Sequence, residues 1–142
     1  MRIRLILFAS DFSTASETAR GYTAYLAQRL GTEVRVLHVI EPIEPQEEMD
    51  PELEDWYERL KKDLKQKLDQ DVRFFTMRKV QASGEMLLGS RWKAIIRVAE
   101  EEGAELVVVG SHGIIGPGGQ PRLGTTSHRV VLASSVPVLI TL

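Results

Sequence analysis

A glycine-rich segment in the last third of the chain carries the residue types best suited to binding an anion. Residues 110–126 read GSHGIIGPGGQPRLGTT and follow an apolar stretch. Glycines let backbone N–H groups approach a phosphate closely, and the amino end of a following helix favours negative charge. Thr125 and Thr126 add hydroxyl donors, and Arg122 adds a permanent positive charge. The same composition suits a surface loop whose glycines serve only its turns, so the segment alone supports both interpretations.

The sequence lacks the patterns of several common site classes. No G-x-x-x-x-G-K-[ST] pattern is present, and no intact G-x-G-x-x-G follows the first apolar segment. These absences argue against a P-loop NTPase and a dinucleotide-binding fold, but not against a nucleotide site on another turn. The chain contains no cysteine, which excludes a disulfide scaffold, a thiolate metal site and a cysteine nucleophile. No nucleophile-elbow pattern is present either.

The three histidines do not form a metal-binding or general-base pattern. His38, His112 and His128 are far apart in the sequence, so no dedicated metal site is predicted. His38 falls in an apolar segment and is interpreted as a structural histidine. His112 lies among the glycines without an evident partner that would make it a base. His128 is expected to face solvent.

Length, charge and hydropathy restrict the class of protein. The 142 residues fit one domain, residues 1–142. The chain carries 18 basic and 20 acidic residues, which disfavours nucleic-acid binding through a broad basic field. No stretch approaches the ~20 apolar residues of a membrane span. We therefore expect a cytoplasmic domain that binds neither nucleic acid nor membrane.

Strand and helix patterns alternate along the chain. Strands are predicted at 3–9, 34–40, somewhere within 72–88, at 105–109 and at 136–141. The first predicted helix begins at Thr14, which has capping-box spacing to Glu17, and ends at Gly31. Later helices are predicted over 53–68, over 92–99 with Gly103 as the end, and from Arg122 or Thr125 to 133.

This alternation predicts an α/β fold, a doubly wound five-stranded parallel sheet with helices on both faces. In such sheets a ligand binds at the carboxyl ends of the strands, where the strand order reverses. The turns after Ala9, Ile40 and Val109 are therefore the candidate positions for a site.

Five segments together resemble the universal stress protein family. They are FASDFS at 8–13, VLHVI at 36–40, AELVVVGSHG at 104–113, LGTTS at 123–127 and SVPVLI at 135–140. The resemblance follows the same order over nearly the whole chain and is weakest between residues 70 and 90. It implies a five-stranded α/β fold, commonly dimeric through the last strand. ATP is the implied ligand, with Mg²⁺ held through the phosphates.

The resemblance also implies a set of binding residues. ATP-binding members share a glycine pattern, G-x-x-G, nine residues, then G-[ST], matched here by Gly110, Gly113, Gly124 and Thr125. Three further positions match family residues at the nucleoside end: Asp11 for ribose or adenine, Val39 for a backbone contact to adenine, and Val109 for the pocket wall. At a fourth position this chain departs from the family, because Ala9 stands where a proline is usual.

The glycine pattern departs from that of the family in its spacing. Ten residues, not nine, separate Gly113 from Gly124, and they include Pro117 and Pro121, which have no N–H for a phosphate. The extra residue could bulge outward beside Gly118, or it could displace the phosphate donors. Three functions follow: an ATP-binding stress or regulatory module, a dimer that acts through protein contacts without ATP, and a slow ATP hydrolase.

The end of the chain suggests an interface. Residues 136–142, VPVLITL, form an apolar stretch with almost no polar tail. An apolar edge strand invites association, and pairing with the same strand of a second copy would cover it. Burial within the monomer is the alternative, and a homodimer through 136–142 is the prediction.

Overall fold

The computed structural model describes residues 1–42, 50–111, 113–115 and 117–142. Within these ranges, five strands and four helices alternate in the predicted order, and two short strands that were not predicted lie between the fourth of these strands and the last helix. The elements are β1 (Leu5–Ala9), α1 (Thr14–Leu30), β2 (Glu33–Ile40), α2 (Pro51–Thr76), β3 (Ala82–Leu88), α3 (Arg91–Glu102), β4 (Leu106–Gly110), β5 (Ile114–Ile115), β6 (Pro121–Arg122), α4 (Thr125–Ala133) and β7 (Val138–Thr141).

One parallel sheet organises the chain, with the five strands in the order β3-β2-β1-β4-β7. Helices α1 and α2 cover one face, where Phe8, Val36 and Phe75 are buried. Helices α3 and α4 cover the other face, where Leu37 and Val107 are buried. The predicted doubly wound α/β fold is therefore confirmed. The strand order reverses between β1 and β4, so the carboxyl ends of these two strands form the topological switch point.

The first helix begins where it was predicted but is capped differently. Thr14 is its first residue, and the N-cap is Ser13, whose Oγ accepts the backbone N–H of Ser16 at 3.2 Å. The prediction that Thr14 is the N-cap of a capping box with Glu17 was therefore wrong by one residue. Gly31 ends the helix in the left-handed conformation, as predicted.

Helix α2 extends to Thr76 and includes the first part of the segment 72–88, where the third strand was expected. Phe75 explains the extension because it is fully buried and packs edge-to-face on Phe8, at 5.9 Å between ring centroids. Phe74 is covered differently, by the guanidinium groups of Arg20 and Arg78. Strand β3 occupies only the second part of the segment, at the edge of the sheet.

Strand β7 forms the opposite edge of the sheet and, within the described ranges, pairs with β4 alone. Pro137 and Thr141 accept backbone hydrogen bonds from β4 and the residue after it. Because alternate residues of a strand direct their backbone groups to opposite sides, Val138 and Ile140 present theirs to the outer edge. The dimer through this strand remains a prediction. Among the described residues, no helix combines the length and apolar character of a membrane span.

Candidate functional site

A cleft opens at the switch point between β1 and β4. Its lining comes from the ends of three strands and the first turns of three helices: Ala9, Ser10, Asp11, Ser16, Leu37, Val39, Arg91, Ile95, Val109, Gly110, Thr126 and Ser127. Six residues predicted for the site therefore lie together here: Ala9, Asp11, Val39, Val109, Gly110 and Thr126. The other four lie on or beside the glycine-rich loop.

One wall of the cleft is apolar. Leu37, Ile95 and Val109 are buried and present aliphatic side chains from β2, α3 and β4. A flat ring system fits between such side chains because its apolar faces need no hydrogen bonds, whereas its edge does.

The end of β2 supplies a hydrogen-bonding edge beside this wall. The ladder between β1 and β2 closes with the bond from Ser10 N–H to Leu37 O, and Ile40 O on the opposite side accepts from Gly89 N–H. By alternation, Val39 faces the same side as Leu37. Since β1 has ended there, the peptide N–H and C=O of Val39 are directed into the cleft.

Asp11 forms part of the opposite rim. Its Oδ1 accepts the Ser16 hydroxyl at 2.6 Å and the Ser13 N–H at 3.0 Å. The carboxylate therefore organises the first turn of α1 and lines the cleft at the same time. The two sequence interpretations of Asp11, turn residue and site residue, are geometrically compatible.

The glycine-rich loop is held together by Ser111. Its buried Oγ accepts the N–H of Gly113 at 3.2 Å and the N–H of Gly124 at 3.0 Å. Between these glycines, β5 and β6 pair as a small antiparallel hairpin. The N–H groups of Gly113 and Gly124 are thus held at one hydroxyl although ten residues separate the two glycines in the sequence.

Gly110 has a structural requirement of its own. A Cβ atom built on it would lie 2.4 Å from the backbone oxygen of Ala15 and 2.9 Å from the nitrogen of Ser16. Any side chain would collide with the first turn of α1. Gly110 therefore allows the end of β4 to pass directly under that turn.

Two predicted phosphate residues lie outside the cleft. Arg122 and Thr125 line a separate surface groove with His128 and Arg129. His128 is exposed, as predicted, whereas His112 lies outside the described residues. A contact of Arg122 or Thr125 with a ligand stays a prediction.

The turn that carries Asp11 is supported from the other face of the sheet. His38 is buried, stacks on Phe12 at 4.2 Å and has Nδ1 2.7 Å from Ser10 O. Because a carbonyl can only accept, Nδ1 carries the proton. The Ser10 hydroxyl donates to Asp71 at 2.7 Å. This arrangement agrees with the structural role predicted for His38.

Stability is expected to decrease below neutral pH because of His38. Burial lowers the pKa of His38 below 6.5, and the positive charge of Arg91 also lowers it. The hydrogen bond to Ser10 and the carboxylates of Asp11 and Asp71 raise the pKa, but their combined effect is smaller than that of burial and Arg91 together. The unfolded chain then binds more protons as the pH falls through 6.5, so the free energy of unfolding declines. His38→Asn should show a shallower decline in urea titrations between pH 7 and 5. An identical decline in both proteins would contradict this assignment.

Several residues of the site were not predicted from the sequence: Ser10, Ser16, Leu37, Arg91, Ile95, Ser111 and Ser127. Arg91 begins α3, Ser111 follows β4, and Ser127 lies in α4. The rule that ligands bind at the carboxyl ends of strands could have suggested Ser111, which follows β4 directly. Nothing in the local pattern around Arg91 identifies it, because its position depends on the packing of α3 against the sheet.

The fold and the cleft define a doubly wound α/β domain with an open cleft at its switch point. Comparison with known proteins narrows this class: a sequence model of the universal stress protein family matches residues 2–141. A universal stress protein of Thermus aquaticus is 31% identical over 138 residues, covering 96% of this chain and 97% of that protein. The chain belongs to the universal stress protein family.

Solved structures show the same architecture. A Methanocaldococcus jannaschii protein matches with a TM-score of 0.78 at 26% identity, over 99% of this chain and 96% of its own. The Archaeoglobus fulgidus universal stress protein in complex with dAMP matches with 0.68 at 18% identity, over 97% and 96%. A universal stress protein in complex with cAMP matches with 0.74 at 16% identity, over 100% and 98%. The last two likenesses concern the fold alone.

Proposed function

We propose that this chain binds an adenine nucleotide, with ATP as the first candidate, and serves as a cytoplasmic stress-response or regulatory module. The observation that supports it is the juxtaposition of two kinds of surface in one region. The apolar wall with the Val39 peptide edge suits a heterocyclic base, and the adjoining glycine loop, closed by Ser111, suits phosphates. Two solved proteins of the same fold are complexes with dAMP and cAMP, so the fold itself accommodates adenine nucleotides.

The base and ribose would occupy the strand side of the cleft. Adenine would lie against Ile95 and Val109, and its amino group would donate to the Val39 carbonyl while its ring nitrogen accepts the Val39 N–H. Asp11, at the rim, would accept a ribose hydroxyl. Ala9 leaves room beside the ring because its side chain is small.

The phosphates would lie on the loop side. Ser111 holds Gly113 and Gly124 together, and the first turn of α4 follows directly, so the N–H groups and hydroxyls of Thr125 and Thr126 would meet the phosphate oxygens. Among the described residues no cluster of three metal-ligand side chains occurs. Mg²⁺ would therefore be held mainly by the phosphates themselves.

The direct test is to identify what the protein carries. Nucleotide released from freshly purified, untagged protein would be analysed by mass spectrometry, followed by ATP titration calorimetry of the stripped protein. We expect bound adenine nucleotide and a saturable heat with ATP. A clean ligand-free protein with no heat would refute nucleotide binding. Phosphate release in the same samples would favour the hydrolase alternative.

The second candidate function is a dimer that acts through protein contacts, and β7 favours a dimer in either case. No strand in the described part of the monomer pairs with its outer edge, and Tyr22, Tyr25 and Leu139 line an apolar groove beside it. Two copies of β7 paired about a two-fold axis would satisfy the outward backbone groups of Val138 and Ile140.

Val138→Pro tests this dimer. Proline removes one outward N–H and leaves the bonds to β4 intact, and edge strands tolerate it. Each of the two copies loses one interfacial hydrogen bond worth about 1 kcal/mol, so we expect the dimer dissociation constant to rise about thirtyfold. Sedimentation velocity across a concentration series measures it, with Leu132→Ala on exposed α4 as control. A monomeric wild-type protein would refute the dimer.

A further inference from the structure

Arg91 occupies an unusual place in the cleft. It is the first residue of α3, and its backbone N–H donates to the Glu41 carboxylate at 2.9 Å. Its side chain lines the cleft, and its Nε lies 3.5 Å from the Val39 carbonyl oxygen. The guanidinium group is therefore located at the hydrogen-bonding edge where a base would be recognised.

Among the described residues, the acid nearest in contact is Glu41, and it accepts the backbone N–H of Arg91 and forms no ion pair with the guanidinium group. None of the ion pairs within the described part of the chain includes Arg91. A guanidinium group offers five N–H donors, accepts no hydrogen bond and stays protonated at all relevant pH. The long bond to Val39 uses one donor and leaves the others for a ligand.

Arg91 changes which bases the edge can satisfy. A carbonyl oxygen accepts two hydrogen bonds, so Val39 O can bind Arg91 and still accept a donor from a base. A 6-amino purine needs only the Val39 peptide. In the pose described for adenine, the N1–H of a 6-oxo purine would oppose the Val39 N–H. The base must therefore shift along the edge until N1–H donates to the Val39 carbonyl, and its own carbonyl then needs a donor. The Arg91 guanidinium supplies that donor.

We propose that Arg91 broadens the base specificity of the cleft from 6-amino to 6-oxo purine nucleotides, by donating to the oxygen at position 6. The inference rests on the proposed nucleotide site. It assigns to Arg91 the role of a specificity-determining residue. Without this donor the oxygen would be buried unpaired against the apolar wall, which is strongly unfavourable.

ATP and ITP test the inference because their bases are a matched 6-amino and 6-oxo pair. Each would be titrated into the stripped wild-type protein and into Arg91→Ala, Arg91→Lys and Lys93→Ala. Lys93 is an exposed basic residue on the same helix and does not line the cleft, so it controls for loss of one positive charge. Melting temperatures would verify that the exposed substitutions leave the fold intact.

We expect wild-type affinities for ATP and ITP within about threefold of each other. Arg91→Ala should weaken the affinity for ITP about tenfold or more, which is the size expected for one charged hydrogen bond. The same substitution should weaken the affinity for ATP less than threefold. Arg91→Lys should restore part of the ITP affinity, and Lys93→Ala should alter neither. Two results would overturn the role of Arg91 and leave the proposed nucleotide site standing. One is an equal loss of affinity for both nucleotides in Arg91→Ala, and the other is a wild-type protein that binds ATP but not ITP. Absence of binding by either nucleotide would overturn the proposed function as well.

Discussion

Gly110→Ala is expected to lower the free energy of unfolding by about 3 kcal/mol, in the upper part of the range for overpacking a rigid site. The added methyl group would lie 2.4 Å from the Ala15 oxygen and 2.6 Å from its carbonyl carbon. Both are backbone atoms of the first turn of α1, so no side-chain rotation can relieve the contact. Either that turn or the end of β4 must move. Urea denaturation followed by circular dichroism measures the loss.

Gly21→Ala is the matched control for this prediction. Gly21 lies inside α1, and a Cβ built there has no neighbour within 4 Å. The same chemical change should therefore raise the free energy of unfolding, by about 0.5–1 kcal/mol, from helix propensity. A neutral Gly110→Ala would show that α1 can shift away from β4, contrary to the packing described for that glycine.

Gly124→Glu is expected to weaken ATP binding at least about a hundredfold, because a like charge at a phosphate site costs several kcal/mol. Gly124 is the N-cap of α4, and a Cβ there would lie 3.4 Å from Ser111 Oγ. The carboxylate would extend from the junction of loop and helix, where the phosphates are proposed to bind. Titration calorimetry of the stripped protein measures the change.

Gly124→Ala separates charge from bulk in this experiment. The φ of Gly124 is −60°, which any residue adopts, and a methyl group meets only the Ser111 hydroxyl. Binding should therefore fall by no more than a few-fold. Gly21→Glu controls for a new exposed carboxylate away from the cleft. Full ATP affinity in Gly124→Glu would place the phosphates elsewhere.

The sequence was sufficient to predict the alternating fold because each element carries its own signal. Gly31 and Gly103 end their helices in the left-handed conformation that favours glycine. The limits of α2 could not be predicted, because the burial of Phe75 depends on Phe8, which lies far away in the chain. Two adjacent phenylalanines show neither helical nor strand periodicity.

The site was predictable where it depends on strand ends and unpredictable where it depends on the path of loops. The rule that carboxyl ends converge indicated the turns after Ala9, Ile40 and Val109. The resemblance to the family then supplied the individual residues Asp11, Val39 and Val109. The two hydrogen bonds that Ser111 Oγ accepts from Gly113 and Gly124 join segments that are separate in the sequence. The position of Arg91 likewise depends on contacts between separate segments, and local sequence patterns do not encode such contacts. The position of Arg122 outside the cleft could not be predicted for the same reason, because it depends on the path of the loop.

The hydrogen bonds of Ser111 affect how much the loop between Gly113 and Gly124 can vary in length. Because Gly113 and Gly124 are both bonded to one hydroxyl, the residues between them form a closed loop whose ends are fixed. The entropy of such a loop depends only logarithmically on its length, so doubling it costs about 0.6 kcal/mol. Insertions at the tip of this loop should therefore cost little free energy and leave the fixed loop ends, and with them the cleft, unchanged. The β5–β6 hairpin is accordingly a suitable position for inserting or grafting other sequences.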